Sequence, residues 1–280
     1  GHVERLRPRV RTLAGQLLDE LGPSFDAIED FAEPLPVLMI AELLGVPNAD
    51  VAALRAWSQA IVRMYEPSPT PEVVDAAVRS AQEFADFSRE LVAARRAHPL
   101  ENDLITELAV SELTDDEVVA AVVLLLNAGH EASVNVFGNG LVGLLRSGSR
   151  PAAEVSVTVE EMLRFDSALQ LFERTATEPV QLGGVQLQPG QKVAALLGAA
   201  NRDPAVFAEP DRFVVDRDPN NHLAFGAGLH FCLGSPLARM ELVESLTVLF
   251  DKYPELDLAG EPTSRGTFVL RGYTHVPVSG

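Results

Sequence analysis

Apolar residues return every three or four positions through most of the chain, and this spacing predicts amphipathic helices. The predicted helices cover 3–21, 38–44, 50–65, 72–96, 115–146, 159–165 and 237–253. After residue 175 the period shortens to two, which predicts strands in 180–187, 192–197 and 266–278. The pattern therefore predicts a mainly α fold with small β-sheets (α+β). We expect one domain, 1–280, with a mostly helical part at 1–175 and hairpins, an irregular segment and a last helix at 176–280.

The two turns that close the predicted hairpins are marked by glycine. Gly183-Gly184 divides 180–187, and Arg271-Gly272 divides 266–278. Between these hairpins, residues 201–217 are rich in proline and aspartate, which indicates a compact irregular segment.

The most apolar helix is predicted at 115–146. It opens with a capping box, Thr114-x-x-Glu117. Apolar residues lie on all sides of its first half, which is typical of a helix that crosses the centre of a globule. If this helix is continuous, it extends about 50 Å at about 1.5 Å per residue.

Composition narrows the classes of function. With 280 residues and 47% hydrophobic content, the chain can bury a large core. Its net charge of −18 repels nucleic acid and anionic membranes, so a small organic substrate fits better. The longest strongly apolar run, 118–128, is shorter than a membrane span. One cysteine and no apolar N-terminal signal indicate a soluble, cytoplasmic protein in a reducing setting.

The stretch FGAGLHFCLG at 225–234 contains the only cysteine, Cys232. Because it cannot form an internal disulfide, Cys232 is a thiol, a thiolate or a small buried apolar side chain. Three glycines allow the loop to fold tightly around a bulky group, namely Gly226, Gly228 and Gly234. We expect Ser235 to cap the next helix, with Pro236 in its first turn. The positive end of that helix would favour a thiolate, which is a soft ligand for iron.

This loop resembles, position by position, the heme-thiolate loop F-x-x-G-x-x-x-C-x-G of the cytochrome P450 superfamily in its bacterial soluble form. The resemblance implies a heme b (iron protoporphyrin IX) whose iron is bound by Cys232. The implied cofactor-binding residues are Cys232, His230, Arg174, Phe225, Gly226 and Gly234. Of these, His230 and Arg174 would bind the heme propionates, although Arg174 alone also fits an ordinary solvated strand residue.

A second match falls inside the long helix. Residues 128–133 (AGHEAS) resemble the oxygen-binding segment A-G-x-E-T of the family. The resemblance implies that Ala128 and Gly129 leave space over the iron and that Glu131 belongs to a proton-delivery path. The residues alone also fit a close helix contact at Ala128 and Gly129, with Glu131 facing water.

The match departs from the family directly after the glutamate. Ala132 stands where the usual threonine would be, so the threonine hydroxyl is missing. Ser133 lies about 100° further around the helix and is a poor replacement. Our hypothesis is that a substrate hydroxyl or an ordered water supplies the missing hydrogen bond.

A third match is the spacing E-x-x-R in Glu161 and Arg164, followed by Arg212 in the segment EPDRF. Such a pair by itself usually marks a weak surface contact. Its place ahead of the cysteine loop implies the buried structural triad Glu161–Arg164–Arg212 of the family. Positions that match substrate-facing residues are Leu169, Gln170, Val269 and Leu270, at each of which simple core packing is the competing explanation.

The resemblance implies a heme-thiolate monooxygenase that inserts one oxygen atom of O2 into a C–H bond, by hydroxylation or epoxidation. The substrate would be a small organic molecule of secondary metabolism. Electrons would come from NAD(P)H through a ferredoxin or flavodoxin that docks near Arg239. The helices 50–65 and 72–96 would form a lid over the substrate channel.

Nothing in the sequence corresponds to the N-terminal third of the family, so the resemblance implies a truncated member. The alternative is a truncated relative that acts as a non-catalytic partner or activator of another biosynthetic enzyme. Retention of Cys232 speaks against this alternative. Peroxide-driven heme chemistry is a narrower option that Ala132 permits. The substrate and the oligomeric state do not follow from the sequence.

Overall fold

The computed structural model describes residues 2–46, 51–101 and 103–280, so the predicted start of a helix at residue 50 lies outside it. The helices are α1 His2–Asp19, α2 Pro34–Leu43, α3 Val51–Val62, α4 Pro71–Ala97, α5 Leu104–Ala109, α6 Asp115–Ala128, α7 Glu131–Arg146, α8 Val155–Phe165, α9 Leu197–Ala200 and α10 Ser235–Lys252. The strands are β1 Ser24–Asp26, β2 Leu171–Thr175, β3 Val180–Leu182, β4 Val185–Leu187, β5 Lys192–Leu196, β6 Asp257–Leu258, β7 Thr263–Ser264, β8 Tyr273–His275 and β9 Pro277–Ser279. The fold is mainly helical with small sheets, as predicted.

The long central helix is interrupted. α6 ends at Ala128, Gly129 takes the C-cap position, and α7 begins at Glu131. Both halves of 115–146 are helical as predicted, but the break at 129–130 means that the length expected of a continuous helix does not apply. Gly129 lies against Ile40 of α2, where a Cβ would come within 3.0 Å of that side chain. The glycine thus permits the close approach of α2 at the point where the helix breaks.

The span of α6 and α7 together, Asp115–Arg146, is long and apolar enough to cross a membrane by length and composition alone. The sequence prediction counted only the run 118–128 and missed this. A core helix of a soluble protein meets the same two criteria. α7 buries polar side chains against the rest of the protein, namely Glu131, Asn135 and Asn139, and this is the behaviour of a core helix.

The larger hydrophobic core forms where α1 packs on α10 and α7 packs on α8. Gly140 of α7 allows the second contact, because a Cβ there would lie 2.5 Å from the Cβ of Met162. The Cys232 loop leads directly into α10, so this core fixes the base of the loop.

A second core cluster joins α2, α3, α4, α5 and α6. α3 and α4 form the predicted helix pair, and the ring of Trp57 stacks on Phe84 at 5.2 Å between centroids. Thr70 caps α4 by accepting from the N–H of Val73 at 3.4 Å, and Pro71 is its first residue. The proline-rich link thus ends one helix and starts the next.

The predicted hairpin at 180–187 is confirmed. β3 pairs antiparallel with β4 around Gly183 and Gly184, whose φ angles are 54° and 81°. Both residues lie in the left-handed region that a two-residue hairpin turn of this kind needs. β2 pairs antiparallel with β5 next to it.

The predicted hairpin at 266–278 is wrong in its pairing. β8 pairs with β7, which precedes residue 266, and β9 joins β1 and β6 in a three-stranded sheet. Strands of two or three residues carry too little alternation for the sequence to define their partners. The segment before Arg271 instead forms an isolated bridge between Leu270 and Leu169.

Candidate functional site

Cys232 lies in a tight loop ahead of α10. Its backbone N–H donates to the carbonyl oxygen of Phe225 at 3.0 Å, and the N–H of Phe231 donates to the carbonyl of Gly228 at 3.0 Å. Gly226 and Gly228 each have a φ of 70°, in the left-handed region that favours glycine. The loop thus folds back on itself and holds the backbone of Cys232 against its first residue.

The outer side of the loop is apolar and exposed. Leu229 is fully exposed, Leu233 is 84% exposed and Phe231 is 50% exposed. The thiol of Cys232 is half-buried among them, and His230 is exposed beside it. A sulfur ligand flanked by exposed apolar side chains fits a large, flat, apolar cofactor such as heme. Among the described residues there is no group of three or more His, Cys, Asp or Glu that would hold a bare metal ion.

The start of α10 differs from the prediction in one detail. The N-cap is Gly234, with a φ of −78°, and Ser235 is the first residue of the helix. Ser235 is not the capping residue, because the turn closed by its N–H on the carbonyl of Cys232 at 3.3 Å starts the helix one residue earlier than predicted. A Cβ at Gly234 would lie 3.9 Å from the Sγ of Cys232. The glycine therefore leaves space beside the sulfur.

Glu131 begins α7 and is 2% exposed. Its Oε2 lies 3.2 Å from Nη1 of Arg265, and Nη2 of the same arginine donates to Oε1 of Glu33 at 3.1 Å. Arg55 of α3 pairs with the other oxygen of Glu33. Burial raises the pKa of the Glu131 carboxyl, and the charges of Arg265 and Arg55 only partly offset this. Glu131 therefore faces a buried ion network and not bulk water.

His130 precedes Glu131 and is 1% exposed, with both ring nitrogens lacking a hydrogen-bond partner among the described residues. Burial, together with the charges of Arg55 and Arg265, lowers the pKa of His130 to about 4. The imidazole is therefore neutral at neutral pH. The sequence interpretation did not single out Arg265 or Glu33, since Arg265 follows Glu131 by 134 residues and no local spacing links them.

The other predicted distal residues lie at the junction of α6 and α7. Ala128 is exposed, whereas Gly129 and Ala132 are half-buried. A methyl group at residue 132 offers no hydroxyl to the space next to Glu131. The segment keeps the small side chains that the resemblance requires and lacks the hydroxyl.

Ser133 lies on the side of α7 that faces α10. It lines a cavity between α7 and α10 together with Phe137, Glu241 and Ser245. One carboxyl oxygen of Glu241 has no hydrogen-bond partner in the part of the chain that the structure describes, and burial raises the pKa of this group to about 8. Ser133 therefore contributes to the α10 side of α7, beside a protonated acid that no local sequence pattern marks.

Glu161 and Arg164 form a fully buried ion pair with nitrogen–oxygen distances of 2.7 and 2.8 Å. The third member is Arg217, whose Nε donates to Oε2 of Glu161 at 3.0 Å. The prediction of Arg212 is wrong, because its side chain is 68% exposed and pairs with Glu209. To this cluster Arg212 contributes its carbonyl oxygen, which accepts from Arg164 at 3.2 Å.

The structure brings the four predicted substrate-facing residues together. Leu169 and Leu270 form the isolated bridge, and the N–H of Gln170 donates to the carbonyl of Val269 at 2.9 Å. Glu66, which lies between α3 and α4, accepts from the N–H of Val269 at 2.9 Å. This contact connects the segment between α3 and α4 to the strand segments that are bridged at Leu169 and Leu270.

Arg174 lies in β2 opposite Val193 of β5. Its side chain is exposed, donates to the carbonyl of Glu173 at 2.8 Å and lies 5.2 Å from the centroid of the Phe172 ring. These are local contacts, so the guanidinium remains accessible for an anionic group.

Comparisons with known proteins agree with this arrangement. A family model for cytochrome P450 matches residues 155–259. The 6-deoxyerythronolide B hydroxylase of Saccharopolyspora erythraea is 38% identical, and the match covers 99% of this chain and 71% of that protein. The cyclomarin C epoxidase CymV of Salinispora arenicola is 37% identical over 93% of this chain and 69% of that protein.

Solved structures show the same likeness. P450BioI in complex with an acyl carrier protein ligated to hexadec-9Z-enoic acid superposes with a TM-score of 0.94 at 34% identity, covering 99% of this chain and 75% of that chain. Mycobacterium smegmatis CYP164A2 gives a TM-score of 0.93 at 35% identity with the same coverage. Because the matches extend over nearly the whole of this chain and most of each relative, and include the segment with the Cys232 loop, the chain belongs to the cytochrome P450 family.

Proposed function

We propose that this protein is a heme-thiolate monooxygenase that acts on a small organic substrate of secondary metabolism by hydroxylation or epoxidation. The observation that carries the proposal is the Cys232 loop, in which the backbone of the only cysteine is hydrogen-bonded to Phe225 and its neighbours are exposed apolar side chains. Relatives named as a hydroxylase and an epoxidase support the reaction type.

The residues that would hold heme b lie on the loop and on β2. The thiolate of Cys232 would bind the iron, and the loop residues Phe225, Gly226 and Gly234 would lie against the cofactor. His230 and Arg174 are exposed and would pair with the propionates. When bound, the heme supplies activation of O2, with electrons from NAD(P)H delivered by a ferredoxin or flavodoxin.

Glu131 would hold and move protons at its carboxyl group. Burial raises the pKa of the Glu131 carboxyl, and a carboxyl that holds its proton more firmly than an exposed one is better suited to act as a proton donor. Arg265 and Glu33 connect it to Arg55 on α3. We infer that Arg265 holds the Glu131 carboxyl in place and tunes its proton affinity, while the proton itself would come from water, because a guanidinium does not release its own protons.

The missing threonine hydroxyl must be replaced for tight coupling. Because Ser133 lies toward α10, a substrate hydroxyl or an ordered water next to Ala132 would supply the hydrogen bond. Product formed per NAD(P)H consumed tests this. We expect Ala132→Thr to improve coupling with a substrate that lacks a nearby hydroxyl. If the wild-type protein already couples tightly with such a substrate, the substrate-assisted explanation is wrong.

The direct test of the function is heme addition followed by the carbon monoxide difference spectrum of the reduced protein. We expect the red-shifted Soret band of thiolate ligation in the wild type and its loss in Cys232→Ser. His230→Gln should weaken heme binding, whereas the control His98→Gln, at the exposed end of α4, should not. A wild-type protein that stays colourless after heme addition would support the non-catalytic partner function instead.

A further inference from the structure

Three ionisable side chains from separate parts of the chain meet beside Phe225, the first residue of the Cys232 loop. Glu160 of α8 accepts from Nε2 of His222 at 2.8 Å. The same carboxylate accepts from Nε and Nη2 of Arg239, on α10, at 2.7 and 3.0 Å. One carboxylate therefore ties α8, α10 and the segment before the loop together.

The cluster is sheltered. The side chain of His222 is 2% exposed, that of Glu160 28% and that of Arg239 38%. Burial on its own raises the pKa of Glu160, but the hydrogen bonds from His222 and Arg239 outweigh it and lower the pKa to about 2. Glu160 is therefore ionised throughout the range in which the protein would work.

The hydrogen bonds assign the tautomer of His222. Its Nδ1 accepts from the N–H of Ala224 at 3.2 Å, so in the neutral ring Nε2 carries the proton and donates to Glu160. The imidazole thus connects the carboxylate to the backbone one residue before Phe225. This path needs no charge on the histidine.

The second path runs through Arg239. Its guanidinium lies 4.5 Å from the centroid of the Phe225 ring. The carbonyl of the same phenylalanine accepts from the N–H of Cys232 at 3.0 Å. Glu160 therefore reaches Phe225 from two sides, through the backbone at Ala224 and through the ring that Arg239 covers.

We propose that Glu160 is a positioning residue for the thiolate: by holding His222 and Arg239 it fixes Phe225, and through the Phe225 carbonyl it fixes the orientation of Cys232. That Glu160 matters for catalysis rests on the proposed function. The structural coupling between Glu160 and the loop stands on the contacts alone.

The same contacts bear on the expectation for Arg239. Its charge is balanced by a bidentate contact with Glu160, and its side chain is still 38% exposed, so docking of an electron donor near Arg239 stays a prediction. Within the protein, the guanidinium of Arg239 packs over the ring of Phe225.

Hydrogen–deuterium exchange of the protein without added heme tests the coupling. We expect Glu160→Gln to accelerate exchange at 225–232 about tenfold or more, because a charge-assisted hydrogen bond is lost at each partner. Glu160→Asp should restore part of the protection. The control Glu154→Gln, which changes an exposed acid that accepts from the hydroxyl of Ser156, should leave the loop unchanged. Unchanged exchange in Glu160→Gln would overturn the inference.

A second measurement follows heme addition. Glu160→Gln and Arg239→Gln should each increase the fraction of the reduced carbon monoxide complex that lacks the red-shifted band, and the double variant should add little beyond either. Independent, additive losses would contradict a shared path. If the wild type binds no heme, the proposed function fails, while the exchange experiment still decides whether Glu160 positions the loop.

Discussion

Arg265 donates to two buried carboxylates at once, to Glu131 at 3.2 Å and to Glu33 at 3.1 Å. One guanidinium thus joins the first residue of α7 to the residue that precedes α2. Burial raises the pKa of Glu131, and Arg265 opposes that rise. A residue far from Glu131 in sequence therefore limits the rise in proton affinity that burial causes.

We expect Arg265→Gln to raise the pKa of Glu131 further, so that the carboxyl stays protonated to a higher pH. The carboxyl band in infrared difference spectra, followed through a pH titration and assigned with Glu131→Gln, measures this. Arg89→Gln removes an exposed arginine paired with Asp86 and serves as the control. A titration midpoint that is the same in Arg265→Gln and the wild type would contradict the network.

Arg217 pairs with the buried Glu161, whereas Arg212 pairs with the exposed Glu209, so the two arginines should differ in their effect on stability. Arg217→Gln leaves a fully buried carboxylate with one of its cations missing, and we expect a loss of about 3–5 kcal/mol in the free energy of unfolding. Arg212→Gln removes an exposed guanidinium and should change that free energy by less than about 0.5 kcal/mol. Urea denaturation of both variants measures the difference. Equal losses would restore Arg212 as the third member.

Glu241 predicts a pH dependence of stability. Its pKa is raised from 4.5 to about 8, so between these values the folded protein holds a proton that the unfolded chain has released. The free energy of unfolding should therefore fall as pH rises from about 5 to about 8, by at most about 1.4 kcal/mol per pH unit from this group.

Glu241→Gln removes that slope and should stabilise the protein at pH 7 relative to the wild type. Denaturant unfolding at several pH values checks both statements. Ser245→Ala changes the same cavity without a titrating group, so it should keep the wild-type slope. A slope that persists in Glu241→Gln would assign it to another residue.

We expect substitution by alanine at two helical glycines to change the stability in opposite directions. Gly140→Ala places a Cβ 2.5 Å from the Cβ of Met162 and should cost about 1–3 kcal/mol, because α7 and α8 must move apart. At Gly15 of α1 an added Cβ would meet no described atom within 4 Å, so Gly15→Ala should stabilise the helix by up to about 1 kcal/mol. Thermal unfolding of both variants tests the sign. Destabilisation by both would indicate a general intolerance of these helices.

The sequence predicted those parts of the fold that local patterns determine. The helices with an amphipathic stripe were found, as was the hairpin at Gly183-Gly184, because each is set by neighbours a few residues away. The sequence left open whether 115–146 is continuous, since the break before Glu131 lies at a contact with Ile40 of another helix, which no local pattern marks. The partner strands of β8 and β9 were missed for the same reason.

The residues of the candidate site also fall into two groups, those marked by a local sequence pattern and those brought together only by packing. The Cys232 loop carries its own signal in ten consecutive residues, and Glu161 and Arg164 lie one helical turn apart. Arg212 was chosen over Arg217 because it lies in the segment EPDRF that resembles the family, whereas the contact of Arg217 with Glu161 depends on how the irregular segment folds. Arg265, Glu33 and Glu241 have no local signal, and only packing brings them to α7.

Cys232 is the only sulfhydryl in the chain, and it is half-buried. A maleimide dye can therefore attach at a single position, with no competing site to remove by mutagenesis. Once the sulfur is ligated, that attachment should stop, so the extent of labelling counts the molecules that have not yet acquired their prosthetic group.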